Sequence, residues 1–406
     1  MRIFFVCQRV PFPPDRGDKI ATFNELRHLS AAHEVHVFCL ADGVHDLDNV
    51  GDLQNYVASV TTIPVIGFAS TLRAVGPLFF GGPLSVAALN ETKLHAAIMQ
   101  RFLELRPDLI IVFSSNVAQY AEPFPEVARI MQFHDLDSQK WGQYAQRSRI
   151  PLKWIYEIEQ RRLLAYERSV ARRFSYALVC TAIEKRDFEL LIPGVPVGVV
   201  GNGVDLDYFR PAGSSKRPAS IIFTGVMDYF PNVDAVLWFC DEILPVVQKQ
   251  VPEANLTICG SQPARAVRRL SERRGITVTG RVPDIRPYVD QAEVFVAPLR
   301  MGRGIQNKLL EALAMGLPSV ASTAAWSGTL VPKEEGVLVA DNPREFAEDV
   351  VRLLRDGDYR SAMARRARVA AETNCRWEEQ MTHLDQVIET VTVRWRPSVS
   401  SPVERN

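Results

Sequence analysis

The residues best suited to chemistry lie in one run, Pro298-Leu299-Arg300-Met301-Gly302-Arg303-Gly304-Ile305-Gln306-Asn307-Lys308-Leu309-Leu310-Glu311, which follows the apolar stretch Val294–Ala297. Gly302 and Gly304 let backbone amides approach a ligand closely. A helix opening here offers free N–H groups and a positive dipole end, which suits a diphosphate. Lys308 adds a formal positive charge one turn in. Glu311, three residues on, lies on roughly the same face, where a carboxylate can accept both hydroxyls of a ribose. Gly316 then closes the helix, and Pro318 precedes the next strand. The bland alternative is a tight turn carrying a surface lysine and glutamate.

The elements that must position these groups read as two alternating series. Ile3–Cys7, Glu34–Leu40, Leu109–Phe113, Ala128–Phe133 and Ala177–Cys180 are short apolar runs, with helical spacing over Lys19–Ala32 and Glu91–Leu105. Continuous apolar strands alternating with helices predict a parallel sheet covered on both faces. Linker composition at residues 211–219 interrupts the pattern. A second series follows: Ser220–Thr224, Asn255–Cys259, Ile276–Thr279, Val294–Ala297, Ser319–Ala321 and Gly336–Val339. The expected fold is α/β, with two doubly wound domains at 1–211 and 212–376. A terminal helix over 377–396 crosses back to the first domain, and a disordered tail spans 397–406. Ligands of such sheets sit at the carboxyl ends of the strands, so the cleft between two facing domains is the expected site.

Composition narrows the function class. Lys plus Arg (47) equals Asp plus Glu (47), which removes the basic footprint of a nucleic-acid binder. Six cysteines are scattered with no CxxC pair, as in a reduced, cytoplasmic protein. The apolar N-terminal run is too short for a secretion signal. The segment from Ile63 to Leu89 is long and apolar, but Arg73 and several Gly and Pro argue against a membrane span. Residues Trp141–Phe174 interleave Trp and Tyr with eight Lys or Arg. That pattern suits peripheral contact with an anionic membrane, although a solvated, salt-bridged helix reads the same way.

The stretch Gly304 to Val320 resembles the nucleotide-sugar motif of glycosyltransferase family 4. Asn202-Gly203-Val204-Asp205 with Tyr208-Phe209-Arg210-Pro211, then Cys259-Gly260-Ser261 and Gly280-Arg281-Val282-Pro283-Asp284, look like that family's other segments, in the same order. Pro11–Lys19 looks like its first loop. Asp135-Leu136-Asp137-Ser138-Gln139-Lys140-Trp141 is similar to sugar transferases of bacterial exosortase (PEP-CTERM) exopolysaccharide loci. The resemblance implies a GT-B fold and a retaining transfer from a UDP- or GDP-sugar to a glycan or lipid-linked acceptor. It implies no cofactor and no metal. Its donor-binding residues would be Gly302, Arg303, Gly304, Ile305, Asn307, Lys308, Glu311, Gly225 and Arg281. Gly17, Asp18 and Lys19 would form an acceptor-side loop. His134, beside the donor sugar, would be the catalytic residue, with Asp135 and Lys140 as alternative candidates.

The chain departs from the family pattern twice. A first glutamate, eight positions before Glu311, is replaced by Arg303. The loop Gly225–Asn232 has no cation where Arg and Lys are usual, so Arg303 and Lys308 are expected to neutralise the phosphates. Three Asp-x-Asp pairs occur (Asp46/Asp48, Asp135/Asp137, Asp205/Asp207), a pattern that can hold a cation on a diphosphate; none lies on the helix motif. Two other readings stay open: a nucleotide-sugar epimerase, and a non-catalytic binding subunit of a polysaccharide assembly.

Overall fold

A computed structural model describes residues 1–41, 43–65 and 81–395. Part of the apolar segment at 63–89, and the tail from residue 397, lie outside them. The chain divides into two compact units, Met1–Val200 with the chain from Met381 onward, and Gly201–Gln380. The division falls at Val200/Gly201 rather than at the 211–219 linker. The reason is local: the Val204 amide donates to the Cys375 carbonyl, and Val204, Leu206 and Phe209 pack into the second core.

In the first unit β1 (Arg2–Cys7), β2 (Glu34–Ala41), β3 (Ser59–Pro64), β4 (Leu109–Phe113), β5 (Ala128–His134), β6 (Tyr176–Val179) and β7 (Val197–Val199) form one sheet, in the order β3-β2-β1-β4-β5-β6-β7. Every pairing is parallel. Phe4, Phe5 and Val6 of β1 are fully buried because helices cover both faces of a parallel sheet. The strand order reverses between β1 and β4, so the chain ends leaving those two strands splay apart there.

The second unit repeats the plan. β8 (Ser220–Thr224), β9 (Asn255–Cys259), β10 (Ile276–Gly280), β11 (Val294–Ala297), β12 (Ser319–Ala321) and β13 (Val337–Val339) run parallel in the order β10-β9-β8-β11-β12-β13. Its reversal lies between β8 and β11. These two strands lead into Gly225 and into the glycine-containing run at 298–306. Gly336, expected to open β13, sits just before it with φ +90°, and a Cβ there would meet the Ala367 backbone at 2.2 Å.

Candidate functional site

In the second unit the sequence motif lands on the switch point. Loop 298–306 leaves β11, and the helix begins at Asn307 and runs to Ala314. Gly304 has φ +68°, and its carbonyl is so close to Gly328 that a Cβ there would lie 2.0 Å from the oxygen. The loop that leaves β8 is clasped by the one after β9: Gly225 N–H donates to the Cys259 carbonyl at 3.1 Å, and Met227 N–H to Ser261 at 2.8 Å. A Cβ on Gly260 would lie 1.7 Å from the Gly225 carbonyl, so only glycine fits.

Lys308 reaches from the helix to this clasp. Its Nζ donates to Asn232 Oδ1 and lies 5.0 Å from the centre of the Phe223 ring. Asn232 is buried, and its Nδ2 donates to the Val226 carbonyl at 2.9 Å. A Cβ on Gly225 would meet Asn232 Nδ2 at 2.8 Å and Lys308 Nζ at 3.4 Å. The cation absent from loop 225–232 is therefore supplied to it by the helix. Burial pushes Lys308 down to about 8, against the charge of Glu311; burial pushes Glu311 up to about 7, against the charge of Lys308. Each is the other's counter-charge.

Asn307 accepts from Asn202 Nδ2 at 2.9 Å, while its own Nδ2 is a buried donor with no partner among the described residues. Buried donors are normally satisfied, so this one is available to a ligand. Gly302, Arg303 and Ile305 lie on the same loop, half-buried or, for Ile305, packed on the core. Arg281 is exposed and follows β10, two strands from β8 in the sheet. Its neighbour Asp284 grips Arg286, whose guanidinium lies 3.8 Å over the Tyr208 ring and donates to the Tyr208 carbonyl. That ties two of the motif segments together structurally. Asn232 was missed in the sequence, where loop 225–232 was searched only for cations.

In the first unit a cavity of about 30 Å³ opens at its own switch point, lined by Cys7, Gln8, Arg9, Asp18, Lys19, Thr22, Phe113 and Ser114. Helix Gly17–Ser30 brings Asp18 and Lys19 to it. Burial would raise Asp18, but the Arg9 guanidinium at 2.5 Å outweighs it and holds the carboxyl below its usual range. Lys19 is buried and paired with Asp46 at 2.7 Å, so its charge is already answered. Gly17 is exposed at the helix start.

His134 ends β5 with φ +64°, and its ring lies 5.5 Å from that of Phe113 on the cavity wall. A register shift in β5 skips Phe133, so that Gln132 pairs with Leu178 and His134 with Val179. Burial lowers its pKa, with Asp135 and Asp18 pulling the other way. Asp135 is half-buried beside it. Asp137 opens the next helix and accepts from Asn116 Nδ2 at 2.9 Å; burial pushes it up to about 6. The other Asp-x-Asp pairs are also engaged, Asp46 with Lys19 and Asp205 with the backbone N–H groups of Asp207 and Tyr208.

Comparisons with known proteins agree with this architecture. Residues 218–356 match the family model described as glycosyl transferases group 1. A stretch of 207 residues, 46% of the chain, is 25% identical to 53% of UDP-Gal:alpha-D-GlcNAc-diphosphoundecaprenol alpha-1,3-galactosyltransferase of Escherichia coli. Another of 212 residues is 26% identical to 55% of a GDP-mannose-dependent monoacylated alpha-(1-6)-phosphatidylinositol monomannoside mannosyltransferase of Corynebacterium glutamicum, again covering 46% of the chain. The chain thus spans about half the length of these curated relatives. Among solved structures it resembles sucrose-phosphate synthase from Thermosynechococcus elongatus, with TM-score 0.72 and 16% identity over 97% of this chain and 100% of that one. It also resembles Anabaena HepE in complex with UDP-glucose, with TM-score 0.70 and 14% identity over 96% and 100%. The chain has the GT-B fold of two parallel-sheet α/β units, and the core of its second unit matches the group 1 glycosyltransferases.

Proposed function

We propose that this protein is a retaining glycosyltransferase that moves a hexose from a UDP- or GDP-sugar to a glycan or lipid-linked acceptor. The observation that carries the reading is the group at the second switch point: Lys308 held by Asn232 against Gly225, with Glu311 as its counter-charge on the same helix. A nucleoside diphosphate fits that chemistry. Its phosphates meet the buried ammonium and the amides leading into the helix, and its ribose hydroxyls meet the Glu311 carboxylate. The similar curated enzymes, named for a UDP-sugar and a GDP-sugar donor and for lipid-linked acceptors, support the donor class and the acceptor class.

In this reading the acceptor oxygen attacks the anomeric carbon as the bond to the diphosphate breaks, on the same face. The leaving phosphate takes the acceptor proton. The protein mainly aligns the reactants and stabilises the departing charge, with Lys308 and Arg303 as cations and no metal. His134, kept neutral by burial, hydrogen-bonds a sugar hydroxyl, and Asp135 is the alternative candidate for that place. Gly17, Asp18 and Lys19 border the acceptor. The natural setting would be exopolysaccharide biosynthesis in a bacterium, on the cytoplasmic side of the membrane. Arg303 in place of the usual glutamate favours one competitor, a donor-binding subunit without turnover.

A thermal-shift panel of nucleotides and nucleotide sugars, on wild type and Glu311→Ala, tests the donor site. Stabilisation by one nucleotide family, lost in the variant, is the expected result; about 2.7 kcal/mol accompanies a ligand at a hundred times its dissociation constant. No shift with any nucleotide sinks the proposal. A shift without sugar transfer to any acceptor extract leaves the binding subunit.

A further inference from the structure

The turn between helices Asp137–Arg147 and Leu152–Arg173 combines exposed apolar bulk with cations. Seven consecutive residues, Arg149-Ile150-Pro151-Leu152-Lys153-Trp154-Ile155, are all exposed. Four are bulky and apolar: Ile150 is 61% exposed, Leu152 50%, Trp154 57% and Ile155 40%. Isolated exposed apolar residues need no explanation, but four within six positions form a patch that water opposes. Cations are interleaved with them, Arg149 and Lys153 within the turn and the exposed Arg147 just before it. Glu157 meets Lys153 at 3.9 Å along the helix surface. Behind the tip stand Trp141, Tyr144 and Tyr156, with ring centres 5.3 to 6.1 Å apart.

We infer that this tip docks on an anionic lipid bilayer. Ile150, Leu152, Trp154 and Ile155 would sink below the headgroups, while Arg147, Arg149 and Lys153 reach lipid phosphates with their charges and keep their stems in the apolar layer. Tyr and Trp behind the tip suit the headgroup zone. The interleaving of charge and apolar bulk on one short turn favours a bilayer over a protein partner, whose contact core would be depleted of Lys. Among the described residues no helix is long and apolar enough to cross a membrane. This names the surface behind the membrane contact expected from the basic and aromatic segment, and it stands independently of the donor chemistry.

Co-sedimentation with phosphatidylcholine vesicles, with and without phosphatidylglycerol, tests it in the full chain. Wild type should sediment with the anionic vesicles and be released by salt. Arg149→Gln or Lys153→Gln should each weaken binding about fivefold. Leu152→Ser with Trp154→Ser should weaken it roughly a hundredfold. Circular dichroism and the nucleotide thermal shift of each variant should match wild type, since these side chains are exposed. Failure of wild type to bind anionic vesicles overturns the inference, as does binding that the double variant leaves unchanged. A dimer in vesicle-free sedimentation that the double variant dissolves also overturns it, and assigns the patch to a second copy of the chain. A nucleotide shift that persists while vesicle binding fails separates this outcome from failure of the donor site.

Discussion

Lys308 is where charge and burial are most nearly balanced, and it gives the sharpest pH prediction. Its ammonium is held down to about 8, so in the empty protein it loses its proton as pH rises past that point. In the proposed donor site it is the charged form that meets the diphosphate. Affinity for a nucleoside diphosphate should therefore fall as pH climbs through about 8, while nucleoside affinity stays flat there. In Lys308→Met that dependence should vanish, and diphosphate affinity should drop roughly tenfold to a hundredfold, as a charge-assisted hydrogen bond is worth. Titration calorimetry across the range measures both, and equal losses for nucleoside and diphosphate would remove Lys308 from the phosphates. His134→Ala should lower turnover without abolishing it, because the leaving phosphate can accept the proton; total loss in an initial-rate assay would make His134 an obligatory base. At this scale the place of the motif, a glycine-containing loop after β11 leading into a helix, was legible because glycine, lysine and glutamate stand at fixed offsets after an apolar run. Asn232 and Asn116 were not, because an amide's partner is chosen by the tertiary fold and leaves no periodic mark.

The elements were easier to read where both faces of a strand are buried. β1, β4 and β8 are each built around an apolar run, Ile3–Cys7, Leu109–Phe113 and Ile221–Phe223, and they appear where such runs predict them. β3 and β7 escaped the sequence reading: β3 is a half-exposed edge strand rich in Ser and Thr, and β7 has three residues. The loops between elements carry their own constraint. Gly260→Ala drives a methyl into the Gly225 carbonyl, and a backbone oxygen cannot step aside, so a loss of about 2 to 3 kcal/mol is expected in denaturant titration. On helix Gly17–Ser30 Glu25 is buried against the first sheet, and Gln132 Nε2 donates to it at 2.6 Å. Burial pushes it up to about 8, far above an unfolded glutamate. A carboxyl raised in the folded state contributes its stability at low pH and loses it as pH rises toward and through 8. Unfolding of the first unit should thus become easier between about pH 5 and 8, by a few kcal/mol at most. Glu25→Gln should flatten that slope.

Each unit has its own sheet and its own core, so the whole molecule should not melt as one two-state body. Calorimetry should resolve two transitions, and a nucleotide diphosphate should raise the one belonging to Gly201–Gln380 while leaving the other in place. A single transition raised as a whole would show that the units unfold together. The doubled plan was legible in the sequence from the two alternating series. The place of the division was not, since Pro and Ser at 211–219 mark a surface strand of chain, whereas the division follows where Val204 and Phe209 find their core.

The first unit is interrupted in sequence. Helix Trp377–Trp395 carries Asp385 back to it, where His28 meets that carboxylate at 2.9 Å. Translation runs in one direction, so a nascent chain must make all of the second unit before the last piece of the first leaves the ribosome. During that interval helix Gly17–Ser30 waits with part of its partner surface unmade. The second unit, continuous from Gly201 to Gln380, can close while still tethered. Completion of the older half is thereby delayed until the younger half is finished, and a chain stopped before Met381 should release a protein whose first unit is the one proteases reach.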